Sequence, residues 1–428
     1  MCPLYKKKDP TEISNYRPIT LLNTDYKILT KALALQLVDK ITHLVHPDQA
    51  GFIRNRSIFN QIRLANAIID YAEVTQENGA IVALDQEKAY DKIKHDYLWA
   101  TMNKFGLPRT FTDTVKTLYT NANTMVAING VFSNPFKVTR GVRQGDPLSC
   151  ALFDLAIEPL ACKLRNDPSL DGYNIPGVDE KLIVSLFADD TCIFLNQNDK
   201  MDDVQNILDN WCRASGAKFN LDKTEIIPIG TPDHRNQVIT TRKLNPQDQS
   251  AVNERIRIAE DGEATRSLGA WIGNNVNGAT PWEPIIDKIH RNLELWNKSH
   301  PTILGRKTII QMIIGGYTQF LTMAQGMPKH TESALIRIIR NFMWNDSANP
   351  KITLETLYHP VKEGSLNLLD INSRNESIEI IWLKTYLNFS VNRPTWAKVT
   401  DVIIDAAAPK KQTKKQELMS SCKHGTLA

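Results

Sequence analysis

Apolar and polar positions alternate along this chain in two different rhythms, and the rhythm changes part-way. Ile28, Leu29, Leu33, Leu37, Ile41 and Leu44 recur at helical spacing after Thr24 and Asp25, either of which can cap a helix, and His46-Pro47 ends the run. A second helix is expected after Ser57, with Ile58, Ile62, Ala65, Ile69 and Ala72 on one face. Ala80-Ile81-Val82-Ala83-Leu84 is a short unbroken apolar run, the pattern of a buried strand, and it ends at Asp85. Leu182 to Phe187 and Thr191 to Leu195 are two Val/Ile/Leu/Phe-rich runs joined through Ala188-Asp189-Asp190, which reads as a hairpin.

Further elements follow the same logic. A helix from about His95 to Phe105 stops at Gly106, and Asn129-Gly130 is the turn of another hairpin. Helices are expected over Leu148 to Leu164 and Met201 to Ala214, then a strand around Phe219 to Ile227. Residues 231–264 are polar and irregular and read as a linker or insertion; Thr265 to Gly273 reads as strand-like. From Trp282 onward the period is helical, with Ile285, Ile289, Leu293 and Trp296 on one face. The pattern therefore predicts a mixed α/β part, a boundary near residue 275, and a helical part. Residues 408–428 are rich in Lys, Gln and Ser, a disordered composition.

Composition narrows the class. The 42% hydrophobic and 23% charged fractions over 428 residues are those of an ordinary water-soluble protein of two or three domains. The six cysteines form no C-x-x-C pair, so reduced thiols in an intracellular protein are expected. The most apolar helix candidate, Ile309 to Ala324, is interrupted by Gln311, Gly315-Gly316 and Gln319, so no membrane partner is expected. The net charge is only +4, but residues 1–66 carry ten Lys/Arg against five Asp/Glu, which suits a phosphate-bearing ligand, although on charge alone an ordinary solvated face is the better reading.

The candidate chemistry rests on carboxylates. Two adjacent aspartates at a hairpin tip are costly without a cation, and Asp is also a plain turn residue. If Asp85 and the Asp189-Asp190 tip end at one edge of one sheet, three carboxylates converge. Such a set suits Mg²⁺, a hard ion that prefers oxygen and also binds substrate phosphates. Two such ions roughly 3.5–4 Å apart can serve phosphoryl transfer. Arg54 and Arg56, just before a helix N-terminus, can be surface charges or a phosphate clamp. The Arg140-to-Ser149 loop carries two glycines that would let backbone approach a ligand closely.

Taken in order, Asn15-Tyr16-Arg17-Pro18-Ile19, Gln49-Ala50-Gly51-Phe52, Ala83 to Asp91, Gly141 to Ser149 and Phe187-Ala188-Asp189-Asp190 resemble the reverse transcriptase of non-LTR (LINE-type) retrotransposons. Leu268-Gly269 and the Trp296-to-Arg306 segment resemble the thumb side of those enzymes, so the likeness covers about residues 5–345. It implies an α+β fold: a right-hand polymerase with an antiparallel palm sheet and packed helices, fingers and a helical thumb. Residues 1–80 would be N-terminally truncated fingers and 81–230 the palm. Residues 265–345 would hold the primer grip and thumb, and 346–407 a further helical region.

The resemblance also implies roles. Asp85, Asp189 and Asp190 would be catalytic and hold two Mg²⁺ ions, with Mn²⁺ able to substitute. Arg56, Arg17, Gln144, Gly145 and Lys223 would bind the incoming nucleotide, with Lys223 near the pyrophosphate. Tyr90 would exclude a 2′-hydroxyl, and Leu268 and Gly269 would grip the primer. The implied partners are an RNA template, a DNA primer and deoxynucleoside triphosphates, in a nuclear or cytoplasmic ribonucleoprotein.

This chain departs from the family pattern at Phe187, where many members have Tyr, and at Tyr90, where the subgroup often has Phe. The upstream finger extension, an endonuclease and a zinc knuckle are expected to be missing, as in a fragment of a larger reading frame. The competing expectations are a nucleic-acid-binding remnant that no longer polymerises, an RNA-templated RNA polymerase, which Tyr90 disfavours, and a phosphate-binding metabolic enzyme, for which no Walker or Rossmann fingerprint is present.

Overall fold

The computed structural model describes residues 1–6, 9–345, 350 and 352–408, so the expected disordered tail, apart from residue 408, lies outside the described residues. The first elements are the hairpin β1 (Cys2–Tyr5) and β2 (Tyr16–Ile19), then the helices α1 (Thr24–Leu44) and α2 (Ile58–Thr75). Ser57 caps α2, its side chain accepting from the Phe59 amide. Next come β3 (Gly79–Leu84), the single turn α3 (Ala89–Lys92), α4 (His95–Lys104) and α5 (Arg109–Tyr119). Four two-residue strands, β4 (Asn123–Thr124), β5 (Ala127–Ile128), β6 (Val131–Phe132) and β7 (Phe136–Lys137), form two short antiparallel pairs. Asn129 and Gly130 both have positive φ, as the tight turn between β5 and β6 requires.

After α6 (Ser149–Asn166) comes the hairpin β8 (Val184–Phe187) and β9 (Asp190–Asn196). Then follow α7 (Met201–Ser215), β10 (Glu225–Ile229), α8 (Pro232–Thr241) and β11 (Arg257–Ile258). The main sheet has the order β11-β10-β3-β9-β8, and all neighbours are antiparallel except β10 and β11.

Its middle strands are buried on both faces, which is why β3 reads as an unbroken apolar run. Val82, Ile193 and Ile226 face a core built from Leu152, Phe153 and Leu160 of α6, Val204 and Leu208 of α7, and Leu98 and Met102 of α4. The alternate residues Ile81, Phe194 and Ile227 are fully buried too, and the register sets Ile81 opposite both others.

Residues 231–260 correct the linker expectation. Thr231 caps α8, and Val238, Leu244, Val252, Ile256 and Ile258 join the same core. Asp248 accepts the Met201 and Asn245 amides, and Asn245 donates to the carbonyls of Gln197 and Asn198. The segment looks polar because its polar side chains tie down its own loops, which periodicity does not reveal.

The chain divides into two compact units. One is Met1–Gln61 with Tyr71–Glu260; the other is Ile62–Asp70 with the residues from Asp261 on. The division falls earlier than residue 275 because the hairpin β12 (Thr265–Ser267) and β13 (Ala270–Ile272) belongs to the second unit. That unit continues with α9 (Glu283–Asn297) and α10 (Ile303–Ile310). A π-helical turn, Gln311–Gly315, leads into α11 (Gly316–Gln325). The remaining helices are α12 (Lys329–Trp344), α13 (Leu354–Tyr358), α14 (Ile371–Tyr386) and α15 (Thr395–Ala407). Ile289, Leu293, Ile310, Ile314, Leu335 and Ile339 form its core, but Trp296, expected on that buried face, is exposed. No helix among the described residues is long and apolar enough to cross a membrane.

Candidate active site

The register of the main sheet brings the three aspartates together. Leu84 is paired with Thr191, so Asp85, one residue beyond the end of β3, emerges level with Asp190, the first residue of β9. Phe187 pairs with Asp190, which leaves Ala188 and Asp189 as a two-residue tip. Ala188 sits at φ +56°, a region that glycine takes freely and that costs an alanine about 1–3 kcal/mol. Gln86, buried next to Asp85, reaches toward the Asp189 carbonyl at 3.5 Å, so both ends of the edge are tied.

The electrostatics of this edge are those of crowded negative charge. Desolvation, and then the charges of Asp189 and Asp85, push the Asp190 carboxyl up to about 6. Asp190 is open to solvent on one side, so water tempers that push. Asp189 is also held above its ordinary range, first by burial and then by Asp85, while Lys6 and Arg17 act in the opposite sense. The hairpin β1–β2 therefore brings two cations to bear on the carboxylates. Arg17 was expected from sequence; Lys6 was not singled out, although the Lys6-Lys7-Lys8 run was the available signal.

Lys223 lies beside Asp85. The Asn220 amide donates to the Asp85 carbonyl at 2.7 Å, and the 3₁₀ turn Leu221–Lys223 then sets the Lys223 ammonium 2.9 Å from Asp85 Oδ2. In this arrangement no group of three carboxylate, His or Cys side chains among the described residues closes on a common point that could hold a metal ion. The three carboxylates therefore form an open edge, with Asp85 turned to the Lys223 ammonium. The donor set fits a divalent cation nonetheless. It is all hard oxygen, its charges repel one another, and Asp85 already holds a positive group.

Arg56, expected at the nucleotide, is engaged by the backbone here. Its guanidinium donates to the carbonyls of His46, Gln49, Thr42 and Val45, at 2.5, 2.7, 3.3 and 2.9 Å. It closes the C-terminal end of α1, where helix carbonyls lack intrahelical partners, and it has little left for a phosphate. Arg54 in the same loop is exposed.

Tyr90, on α3, stacks on Phe153 at 4.7 Å and meets Phe52 edge-on at 6.5 Å. Its ring packs against the core, and burial above all holds its phenol well above the ordinary range. Gln144 donates to Asp91 Oδ1 at 3.2 Å and accepts from the Thr20 amide through its carbonyl at 2.8 Å. Gly145 has φ +109° and packs so close to the Thr20 carbonyl that a Cβ would crowd it. Gln144, Asp91, Arg143, Pro18 and Phe136 line a cavity of about 870 Å³, and none of the three aspartates lines it.

In the second unit, Leu268 and Gly269 form the tip between β12 and β13, both at positive φ. Gly269 packs against the Phe320 ring.

The comparisons bear on this geometry. The family model for reverse transcriptase (RNA-dependent DNA polymerase) matches residues 5–251. The transposon TX1 149 kDa protein of Xenopus laevis is 37% identical over 92% of this chain. The Pol polyprotein of the R2 retrotransposable element of Popillia japonica is 26% identical over 52%. The chain spans only 29% and 31% of the lengths of these two relatives. A solved telomerase of Candida tropicalis, in complex with a fragment of telomeric RNA, aligns with 94% of this chain and 58% of its own at 12% identity and a TM-score of 0.41. Reverse transcriptases as a family work with divalent metal ions. With the family model spanning more than half its length and its aspartates gathered on one sheet edge, the chain belongs to the reverse transcriptase family and is similar to its non-LTR retrotransposon members.

Proposed function

We propose that this chain is the RNA-directed DNA polymerase part of a non-LTR retrotransposon protein, adding deoxynucleotides to a primer 3′-hydroxyl on an RNA template inside a ribonucleoprotein. The observation that carries the reading is the convergence of Asp85, Asp189 and Asp190 on one edge, with Lys6, Arg17 and Lys223 around it. Asp85 and Asp189 would hold two Mg²⁺ ions, with Mn²⁺ as a substitute, and Asp190 would assist. When bound, the ions activate the attacking hydroxyl and stabilise the leaving oxygen.

The chain's own residues supply the rest. Arg17 and Lys6 offset the triphosphate charge as the nucleotide enters. Lys223 stands beside Asp85, placed to donate a proton to the departing pyrophosphate. Gln144 and Gly145 position the nucleotide from the loop that rests on Thr20. The Tyr90 ring, fixed by Phe153, would occupy the space a 2′-hydroxyl needs. Leu268 and Gly269 would support the primer.

A second reading, a nucleic-acid-binding remnant that does not polymerise, is favoured by one observation: Asp85 is engaged by Lys223. Primer extension on poly(rA) with an oligo(dT) primer, dTTP and Mg²⁺ separates the two. The polymerase reading expects extension that chelation abolishes, and strong preference for dTTP over UTP. Binding to the primer–template without extension would establish the remnant. Tyr90→Val should raise UTP incorporation relative to dTTP; an unchanged ratio in a folded variant would remove Tyr90 from the sugar site.

A further inference from the structure

The loop between α1 and α2 is irregular, yet one of its polar side chains, Gln49, is aimed at the aspartate tip. Gln49 forms an isolated parallel bridge with Leu186 of β8. The Leu186 amide donates to the Asp48 carbonyl at 2.9 Å, and the Ala50 amide to the Leu186 carbonyl at 2.8 Å. Gln61, buried on α2, donates to the Asp48 carbonyl at 3.0 Å and accepts from the Ser185 hydroxyl at 2.5 Å. The Arg56 guanidinium holds the Gln49 carbonyl from the other side.

Within this frame Gln49 is fully buried, and its amide group is spent on the tip. Its Oε1 accepts from the Ala188 amide at 2.8 Å and from the Gly51 amide at 2.8 Å. Its Nε2 donates to the Ala188 carbonyl at 3.2 Å. Both polar backbone groups of the left-handed residue are therefore satisfied by one side chain 139 positions away. Gly51 makes the approach possible, because a Cβ there would collide with the Ala188 backbone nitrogen.

We propose that Gln49 is a positioning residue of the polymerase: it holds Ala188 in the left-handed conformation that presents the Asp189 carboxylate to the metal ions. The proposal rests on the reading of the aspartate edge given above. Gln49 touches neither metal nor nucleotide. It acts through the backbone of the residue before Asp189, and it explains physically why the Gln49-Ala50-Gly51 run sits far from the aspartates in sequence and against them in space.

The test compares the unaltered chain with Gln49→Met, which keeps the length of the side chain and removes both the acceptor and the donor, and with Gln49→Met/Ala188→Gly. The readouts are amide hydrogen exchange of the segment 186–190, Mn²⁺ binding followed by electron paramagnetic resonance, thermal unfolding, and the Mg²⁺ dependence of primer extension. Gln49→Met should exchange about tenfold faster in that segment and need about tenfold more Mn²⁺ for half-saturation, with the KM for dTTP little changed. Ala188→Gly on top should recover most of the Mn²⁺ affinity, because glycine takes the left-handed conformation without support.

Unchanged exchange in Gln49→Met would overturn the proposal. So would a lowered unfolding temperature with Mn²⁺ affinity intact, or a loss of affinity that glycine does not recover, since each marks a residue that only holds the fold. If the unaltered chain binds Mn²⁺ but extends no primer, the polymerase reading fails while exchange, affinity and glycine rescue still decide the role of Gln49 at the metal site. If it binds no Mn²⁺, both fall.

Discussion

Two of the two-residue hairpin tips, one in each unit, are stabilised in different ways. Ala188-Asp189 and Leu268-Gly269 are both two-residue turns, and each places a non-glycine residue at positive φ, +56° and +51°. The first is held from far along the chain: Gln49 binds both polar groups of Ala188, and Gln86 reaches the Asp189 carbonyl. The second has a glycine that accepts its own positive φ and packs against the ring of Phe320 on α11, while the Trp271 amide of the same hairpin donates to Gln325 Oε1 at 2.9 Å. The tip that carries a carboxylate among like charges has the backbone of its left-handed alanine bound by a buried side chain, whereas the other tip places a glycine at its second position and packs it against a ring.

The largest effect that would break this comparison comes from closing the space each tip needs. Gly51→Ala sets a Cβ against backbone, which cannot give way, so the variant should lose soluble folded protein or unfold at a much lower temperature. Gly269→Ala meets only a ring that can move and adds about 1 kcal/mol of backbone strain, so it should fold with a modest loss. Circular dichroism melting of the two variants checks the order; equal losses would show that the first tip is no more tightly specified than the second.

Arg56 comes next. Removing it leaves four carbonyls around the α1 terminus without their donor, so Arg56→Ala should cost about 1–3 kcal/mol in urea unfolding. The KM for dTTP should hold within about twofold, since the guanidinium is spent on four backbone carbonyls. A large KM rise at unchanged stability would return Arg56 to the nucleotide.

Leu268→Gly sharpens the contrast from the other side. Relief of the left-handed strain should stabilise the fold by up to about 1 kcal/mol, while primer affinity falls if the leucine is there for contact. Unchanged primer affinity would make the tip purely structural.

The smallest effect is electrostatic. The Asp190 carboxyl sits above its ordinary value, at about 6. Between the ordinary carboxylate range and that value the folded chain keeps a proton that the unfolded chain has lost, so stability falls as pH rises through this window. In chelator, Asp190→Asn should match the unaltered chain below about pH 4 and melt higher above about pH 6, by an amount that Mg²⁺ reduces. Identical melting at pH 7 would mean that the three carboxylates do not crowd one another.

How much of this was legible in the sequence follows from the range of each interaction. The β8–β9 hairpin, the buried strand before Asp85 and the cap at Ser57 were readable, because each depends on neighbours a few residues away. Convergence of Asp85 with Asp189 and Asp190 had to be assumed, since strand order is not written in local periodicity; the register supplies it. The carbonyl partners of Arg56 were not legible because a guanidinium before a helix start looks the same whether it faces phosphate or the carbonyls of the preceding helix. The fold of residues 231–260 was missed for a related reason: Asp248 and Asn245 are polar in composition and structural in position. Gln49 was quoted only as part of a motif, and nothing in the sequence says that its amide is buried against Ala188.

The central claim is that the aspartate edge is a metal-dependent polymerising centre. Single-turnover primer extension on poly(rA) and oligo(dT), with the unaltered chain, Asp85→Ala and Asp189→Ala at equal folded concentration, tests it most directly. Mg²⁺-dependent extension is expected of the unaltered chain, with a loss of at least about 100-fold in each variant, because either change removes a proposed ligand of the ions that carry the reaction. Extension by either variant at more than a few per cent of the unaltered rate would contradict it.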